Sequence, residues 1–244
     1  MTAPDLVVVH GVFFAQGAAK PVESGDAQTR RAKAFEKYGE DLGVINYEWV
    51  DGRNKAVANH LLRLARGTMP AVDAVEILEL DEARALASLA DDPSREHWQA
   101  LAHSAQDGLD ATRSFILAGA PRQLLDGQGG GQRVLWLGRG LSQLSEAEFI
   151  AHYTGRHGPL VASYAPQMGL KRYRQVPNER DQLCALLRQV GFGQAAAPAV
   201  FAELVMGAPS LTLASLRLRR RGASEIKADE KRHIDFGRSM LLLA

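Results

Sequence analysis

The chain is poor in the residues that build disulfide frameworks and cysteine zinc clusters: its 244 residues hold one cysteine, Cys184, inside the apolar run Leu183-Cys184-Ala185-Leu186-Leu187. A lone cysteine closes no internal bridge, so it reads as a small core residue and a reducing compartment is the default expectation. An excess of either charge is missing too. Lysine and arginine number 29 against 28 acidic residues, a formal net charge of +1, so no long-range field favours nucleic acid or an anionic membrane. No apolar run approaches the roughly 18 residues of a membrane span, and Met1-Thr2-Ala3-Pro4-Asp5 lacks the basic and apolar regions of a signal peptide. The expectation is a cytoplasmic protein with neither nucleic-acid nor membrane partners. Walker, H-E-x-x-H, EF-hand and G-x-S-x-G motifs are absent. Gly138-Arg139-Gly140 is a bare G-x-G that reads as a turn. The run Arg217-Leu218-Arg219-Arg220-Arg221, ending at Gly222, reads as a solvated helix terminus.

What is present is a repeat. Gly43-Val44-Ile45-Asn46-Tyr47-Glu48-Trp49-Val50 and Gly169-Leu170-Lys171-Arg172-Tyr173-Arg174-Gln175-Val176 both read G-x-x-x-Y-x-x-V, 126 residues apart. Leu61-Leu62-Arg63 recurs at Leu186-Leu187-Arg188, Pro70-Ala71-Val72 at Pro198-Ala199-Val200, and Leu86-Ala87-Ser88-Leu89 at Leu213-Ala214-Ser215-Leu216. Asp110-x-x-Arg113-Ser114 recurs at Asp235-x-x-Arg238-Ser239, and the five matches keep their order at offsets between 125 and 128. Such order points to an internal duplication.

Residues 1–125 form the first copy, 132–244 the second, and the glycine-rich 126–131 has the composition of a linker. In each copy hydrophobic periodicity predicts a strand (Leu6 to Phe14; Arg133 to Leu137) and a helix (Gln28 to Glu40; Ser145 to Tyr164). The G-x-x-x-Y-x-x-V strand, a short helix, a third strand (Ala71 to Leu80; Ala199 to Met206), a longer helical region and a final strand follow. This β-α-β-β-α-β order is the ferredoxin-like unit. The expected fold is α+β, two tandem ferredoxin-like units packing sheet to sheet as a pseudo-dimeric barrel. The fused copies remove the need for a second chain to close that barrel, while further homo-oligomerisation stays open.

Chemistry concentrates in Leu144 to Val161. Ser145 and Glu148 have the spacing of a capping box, which fixes where the helix starts. At the α-helical period Phe149, Ile150, Tyr153, His157 and Val161 share the inward side, and His152 falls outward with Glu148 and Arg156. Residues five apart differ by about 140° on such a helix, so His152 and His157 are poorly placed to share a metal and none is expected. Pro159 predicts a break just after His157. An imidazole on that helix end, facing an apolar interior, is a candidate general acid or base. By the repeat offset its first-copy counterpart is Arg31, so the histidine is asymmetric, whereas Tyr47/Tyr173 and Asp110/Asp235 recur and lean towards fold roles.

The stretch Leu144 to Val161, with Tyr173, Gln175 and Asp229-Glu230-Lys231-Arg232-His233-Ile234-Asp235, resembles the EthD family of dimeric α+β barrel proteins. The resemblance implies a pocket between helices and sheet, often working without cofactor on hydrophobic or aromatic compounds. Tyr153 stands where the family often has tryptophan. Candidate catalytic residues are His157, Tyr173 as oxyanion donor and Asp235 as orienter of the imidazole, and candidate substrate-binding residues are Phe149, Tyr153, Tyr164 and His152. His233 reads as part of a solvated helix end, His97 and Trp98 as a packing face, and His10 as a weak candidate. The expected function is cofactor-free acid/base chemistry, of the dehydratase-like lyase, isomerase or cyclase kind, on a hydrophobic ring-containing carbonyl or hydroxyl compound. The alternatives are cofactor-free oxygenation of an electron-rich aromatic, or non-catalytic binding of a small molecule.

Overall fold

The computed structural model describes residues 5–14, 24–52, 55–64, 72–104, 109–110, 112–209 and 212–244. The N-terminal residues 1–4 and the Pro70-Ala71 part of one repeat match lie outside them. The chain forms two compact units. One comprises Met1–Gly52, Val72–Ala120 and Asn178–Ala197, the other Arg53–Ala71, Pro121–Pro177 and Pro198–Ala244.

The first unit holds β1 (Leu6–Phe13), α1 (Ser24–Tyr38), β2 (Val44–Asp51), β3 (Ala74–Asp81), α3 (Glu82–Ala90), α4 (Asp92–Ser104), β4 (Phe115–Gly119) and α8 (Asp181–Gln189). α2 (Lys55–Leu64) belongs to the second unit. The strands pair antiparallel in the order β2-β3-β1-β4, the ferredoxin-like arrangement. Val7, Val9, Leu78, Leu80, Ile116 and Ala118 face the helices and bury against Phe35, Leu89, Trp98 and Leu101. Each such aliphatic or Phe side chain stabilises the unit by about 1.5–3 kcal/mol. Trp98 is fully buried and donates from Nε1 to Ser88 Oγ at 2.9 Å, and His97 stacks on Tyr38, as the packing-face reading expects. Cys184 sits in the same core, where burial pushes its thiol up to about 11.

The second unit holds α2, β5 (Arg122–Asp126), β6 (Gln132–Gly138), α5 (Glu146–His152), α6 (Gly158–Ser163), α7 (Ala165–Met168), β7 (Leu170–Pro177), β8 (Val200–Met206), α9 (Leu213–His233) and β9 (Met240–Leu243). Its sheet runs β5-β7-β8-β6-β9, again ferredoxin-like but with β5 added at one edge.

The chain is therefore α+β with two ferredoxin-like units, as expected, but the units are not the two sequence halves. Each short helix of the repeat is part of the unit built mainly from the other half: α8 packs on β4 and α2 on β9, with Ala58 buried beside Leu241 and Leu243. The linker reading is corrected as well. Asp126 ends a paired strand, and the glycine-rich stretch after it is tied back to β7 by Gly127 N–H to Lys171 O (2.9 Å) and Lys171 Nζ to Gly130 O (2.9 Å).

Two further readings change. The basic run does not end a helix at Gly222; α9 continues to His233. Gly222 is there because a Cβ would lie 2.5 Å from Tyr164 Cγ, so the glycine permits a close approach. Asp235 and Arg238 precede the last strand instead of opening it. They pair with each other at 2.6 Å in a turn, as Asp110 caps the equivalent turn at Thr112 and Arg113.

Candidate functional site

The site is built on the helix that begins at Ser145. The capping box forms, with Glu148 N–H donating to Ser145 Oγ and Ser145 N–H to Glu148 Oε2. The expected break after His157 is replaced by continuity. Between α5 and α6 the chain makes a π turn, Tyr153–His157, closed by Gly158 N–H to Tyr153 O. Pro159 has no N–H to donate, and in an unbroken α-helix its ring would crowd the Gly155 carbonyl; one extra residue in the turn relieves that conflict without ending the helix. A turn closed over five residues also brings positions five apart to the same side. His152 and His157, placed on opposite sides by the α-helical period, both point at Asp229.

Asp229 comes from α9 and is buried, 6% exposed. His157 Nδ1 donates to its Oδ2 at 3.0 Å, and His152 Nε2 lies 3.0 and 3.1 Å from its two oxygens. Burial works to raise the Asp229 carboxyl, but hydrogen bonds and charge from the two histidines outweigh it and hold it below its usual value. The expected orienter, Asp235, is engaged with Arg238; Asp229 holds that position instead. A carboxylate on Nδ1–H fixes the tautomer and leaves the lone pair on Nε2. Burial pushes the His157 imidazole down, Asp229 partly opposing, so the ring is neutral at neutral pH.

His157 is 5% exposed and lines a cavity of about 240 Å³. Sheet residues Val134, Trp136, Tyr173, Leu204 and Leu241 form one side, and Tyr153, Val161, Ile226, Glu230 and Ile234 close the other. Nε2 makes no hydrogen bond to a described residue. Tyr153 is sandwiched between Trp136 (5.2 Å) and His157 (4.8 Å). Gln175 Nε2 donates to Tyr173 Oη at 2.6 Å, and that hydroxyl lies 3.5 Å from Tyr153 Oη. Burial keeps both phenols protonated, Tyr173 pushed up to about 12 and Tyr153 well above its usual range. Both are donors here, not bases.

Of the expected binding residues, Tyr153 lines the cavity and three do not. Phe149 is core, tilted against Tyr153 at 5.6 Å. Tyr164 turns away to Glu225 at 2.8 Å. His152 lies outside, stacked on His233 at 3.3 Å. His233 is also not merely a solvated end, since its Nδ1 donates to Asp229 O at 2.9 Å. Sequence reasoning missed Asp229 and Glu230 by assigning the whole charged run to solvent. For Glu230 the signal was positional: Ile226, Glu230 and Ile234 recur every four residues through the end of α9.

His152, Asp229 and His233 bring one ligand atom each to within 4.8 Å of one another, close enough for a metal ion. Their geometry does not converge, because rings stacked within 12° of parallel send their lone pairs side by side.

Gly138 leaves room for the Trp136 ring that lines the cavity, since a Cβ there would overlap it. Gly138→Ala is expected to tip the indole off Tyr153 and to destabilise the unit by about 1–3 kcal/mol. Thermal unfolding together with near-ultraviolet circular dichroism, referenced to Trp136→Phe, reads both effects. An unchanged spectrum would contradict this packing.

A ferredoxin-like unit with an aromatic, histidine-bearing pocket between its helices and its sheet is the architecture of a small-molecule-binding or enzymatic protein. The EthD domain family profile matches residues 141–237, within the part of the chain that carries this pocket. No curated protein sequence matches the chain. Solved structures of similar fold include a candidate monooxygenase of Fusobacterium nucleatum (9% identity, TM-score 0.49, covering 100% of this chain and 92% of that one). A chlorite dismutase of Candidatus Nitrospira defluvii in complex with imidazole gives 12%, 0.48, 99% and 92%. A heme-binding protein of Thermus thermophilus gives 14%, 0.45, 98% and 91%. None of these names is that of a dehydratase or another cofactor-free lyase, and the expected dehydratase-like lyase is withdrawn.

Haem itself is not matched by the residues present. The cavity is smaller than the roughly 300–1,000 Å³ of pockets for drug-sized ligands, and among the described residues no lysine or arginine lines it to meet propionates. Among the described residues no helix is long and apolar enough to cross a membrane.

Proposed function

We propose that the second unit binds a small, electron-rich hydroxyarene, removes the proton of its hydroxyl with His157, and so prepares the ring for oxidation by O₂. The observation that carries this reading is the asymmetry of one imidazole: Nδ1–H is held by Asp229 while Nε2 opens into an apolar cavity sized for one or two rings. A phenol placed against Nε2 loses its proton to a base already neutral and correctly oriented. Tyr153 and Tyr173, both protonated, can donate to oxygen that gains charge as the reaction proceeds.

A phenolate gives electrons to O₂ far more readily than a phenol does. In the overall step the ring loses one C–H and one O–H hydrogen, one oxygen atom ends on the ring as a quinone carbonyl, and the other leaves as water. The four electrons that O₂ accepts all come from the ring.

Hydroxynaphthalenes mixed with the protein under argon test the first half of this reading, and admission of air tests the second. Expected are a phenolate absorbance band on binding, then O₂ uptake with quinone formation, and neither with naphthalene. A ring that binds yet is neither ionised nor oxidised would identify a binding protein without catalysis.

Asp229 acts through His157 and is a positioning residue. Asp229→Asn removes the interactions that raise the imidazole's pKa, so the acid limb of the rate profile should move to lower pH. The maximal rate should also fall, roughly 10- to 100-fold, because the tautomer is no longer fixed. A pH–rate profile checks both. A lower rate on an unmoved limb would mean that Asp229 only supports the fold.

A further inference from the structure

We propose that Glu230 is a second recognition group of the cavity, donating a hydrogen bond to a carbonyl oxygen, so that the site selects rings bearing a keto group as well as the acidic hydroxyl. This rests on the reading of the cavity given above and deepens it. Ile226 and Glu230 on α9 and Ile234 just past its end follow one another at four-residue spacing, and all three line the cavity. The middle position of an apolar stripe therefore carries a carboxyl. Packing alone would favour another isoleucine there.

That carboxyl makes no hydrogen bond or ion pair with a described residue. The titratable groups around it are Asp229 and Lys227 on its own helix, His157 and Tyr153 from the π turn, and Tyr173 from the sheet. Burial first, then the Asp229 charge, push it up to about 7, with Lys227 opposing. Below neutrality it carries a proton, and a protonated carboxyl donates where a carboxylate only accepts. A ligand carbonyl supplies the missing acceptor. A ring without one leaves the buried O–H unpaired.

The test is equilibrium binding under argon of a hydroxynaphthyl ketone and the matching hydroxynaphthalene, between pH 5.5 and 8.5, to wild type, Glu230→Gln and Glu230→Leu. Wild type should prefer the ketone by roughly tenfold or more at pH 6, the preference fading as pH rises through about 7. Glu230→Gln, which donates at every pH, should keep the preference without the fade, and Glu230→Leu should bind both rings alike. A wild type indifferent to the keto group, a preference that grows with pH, or a preference surviving in Glu230→Leu would overturn the assignment.

The failures are separable. Loss of the His157 reading removes the phenolate band from both rings and leaves the keto preference to be read from affinity; loss of the Glu230 reading does the reverse. Folding supplies an independent readout. A carboxyl whose folded value is raised binds more protons folded than unfolded, so its contribution to stability falls as pH rises from its unfolded range, about 4.3, through about 7. Glu230→Gln should therefore gain Tm relative to wild type at pH 8 and lose that gain at pH 4.

Discussion

His157→Ala should form no phenolate with a bound hydroxynaphthalene and should lose turnover by roughly 100- to 10,000-fold, the range a positioned general base supplies. The loss should fall on the rate more than on affinity, because the aromatic lining and Glu230 remain. The chemistry depends on one lone pair. Tyr153 and Tyr173 are held protonated by burial, and Glu230 is protonated below about 7, so at about pH 6 no other described group on the lining replaces the imidazole as a base. His157→Gln separates the roles further: it keeps a hydrogen-bonding amide of similar reach but no basic nitrogen, and should be as inactive as alanine. Stopped-flow absorbance with the hydroxynaphthalene reads proton removal apart from oxidation. Turnover unaffected in either variant would exclude His157 as the base.

Arg31→Ala should destabilise the first unit by about 3–5 kcal/mol, the cost of leaving a buried charge without its partner. Arg31 is the residue that the repeat places opposite His157, and its environment shows what the described residues put in the imidazole's place. Its guanidinium is 1% exposed, meets both Glu76 oxygens at 2.6 and 2.8 Å, donates to the Leu101 carbonyl, and lies over the rings of Phe35 and Phe192. Tyr47, the counterpart of Tyr173, stacks on Phe35 at 4.3 Å. At the place where the second unit has His157 beside a cavity, the described residues of the first hold a buried ion pair. The double change Arg31→Met with Glu76→Leu removes both charges and should recover most of the loss. Urea unfolding of the two variants measures it; a single variant as stable as wild type would show that the pair contributes nothing.

Much of the architecture was legible because duplication repeats the same signals twice. The matched tyrosine strands fell on β2 and β7, and the capping box fixed the phase that carried His157 inward. Other features were not encoded in local pattern. β5 leaves most of its side chains exposed or half-buried, so no alternation of apolar residues announced it, and the glycines after it looked like a linker. The exchange of α2 and α8 between the units is a choice of tertiary partner, to which helical periodicity is blind. At the site, the α-helical period put His152 opposite His157; only the π turn, a response to Pro159, places both on Asp229. Asp229 was concealed by its neighbours, since a run of charges usually marks a solvated face, and here two of its members turn inward. The repeated Asp235 was the wrong carboxylate for the reason its repetition suggested: it builds a turn, as Asp110 does.

The most direct test is the protonation state of His157, followed by nitrogen-15 NMR of the imidazole while a hydroxynaphthalene is added under argon at neutral pH. The free protein should show a neutral ring with the proton on Nδ1, bonded to Asp229, and the bound protein a doubly protonated ring appearing in step with the phenolate band. A ring that stays neutral with the cavity occupied would contradict the account.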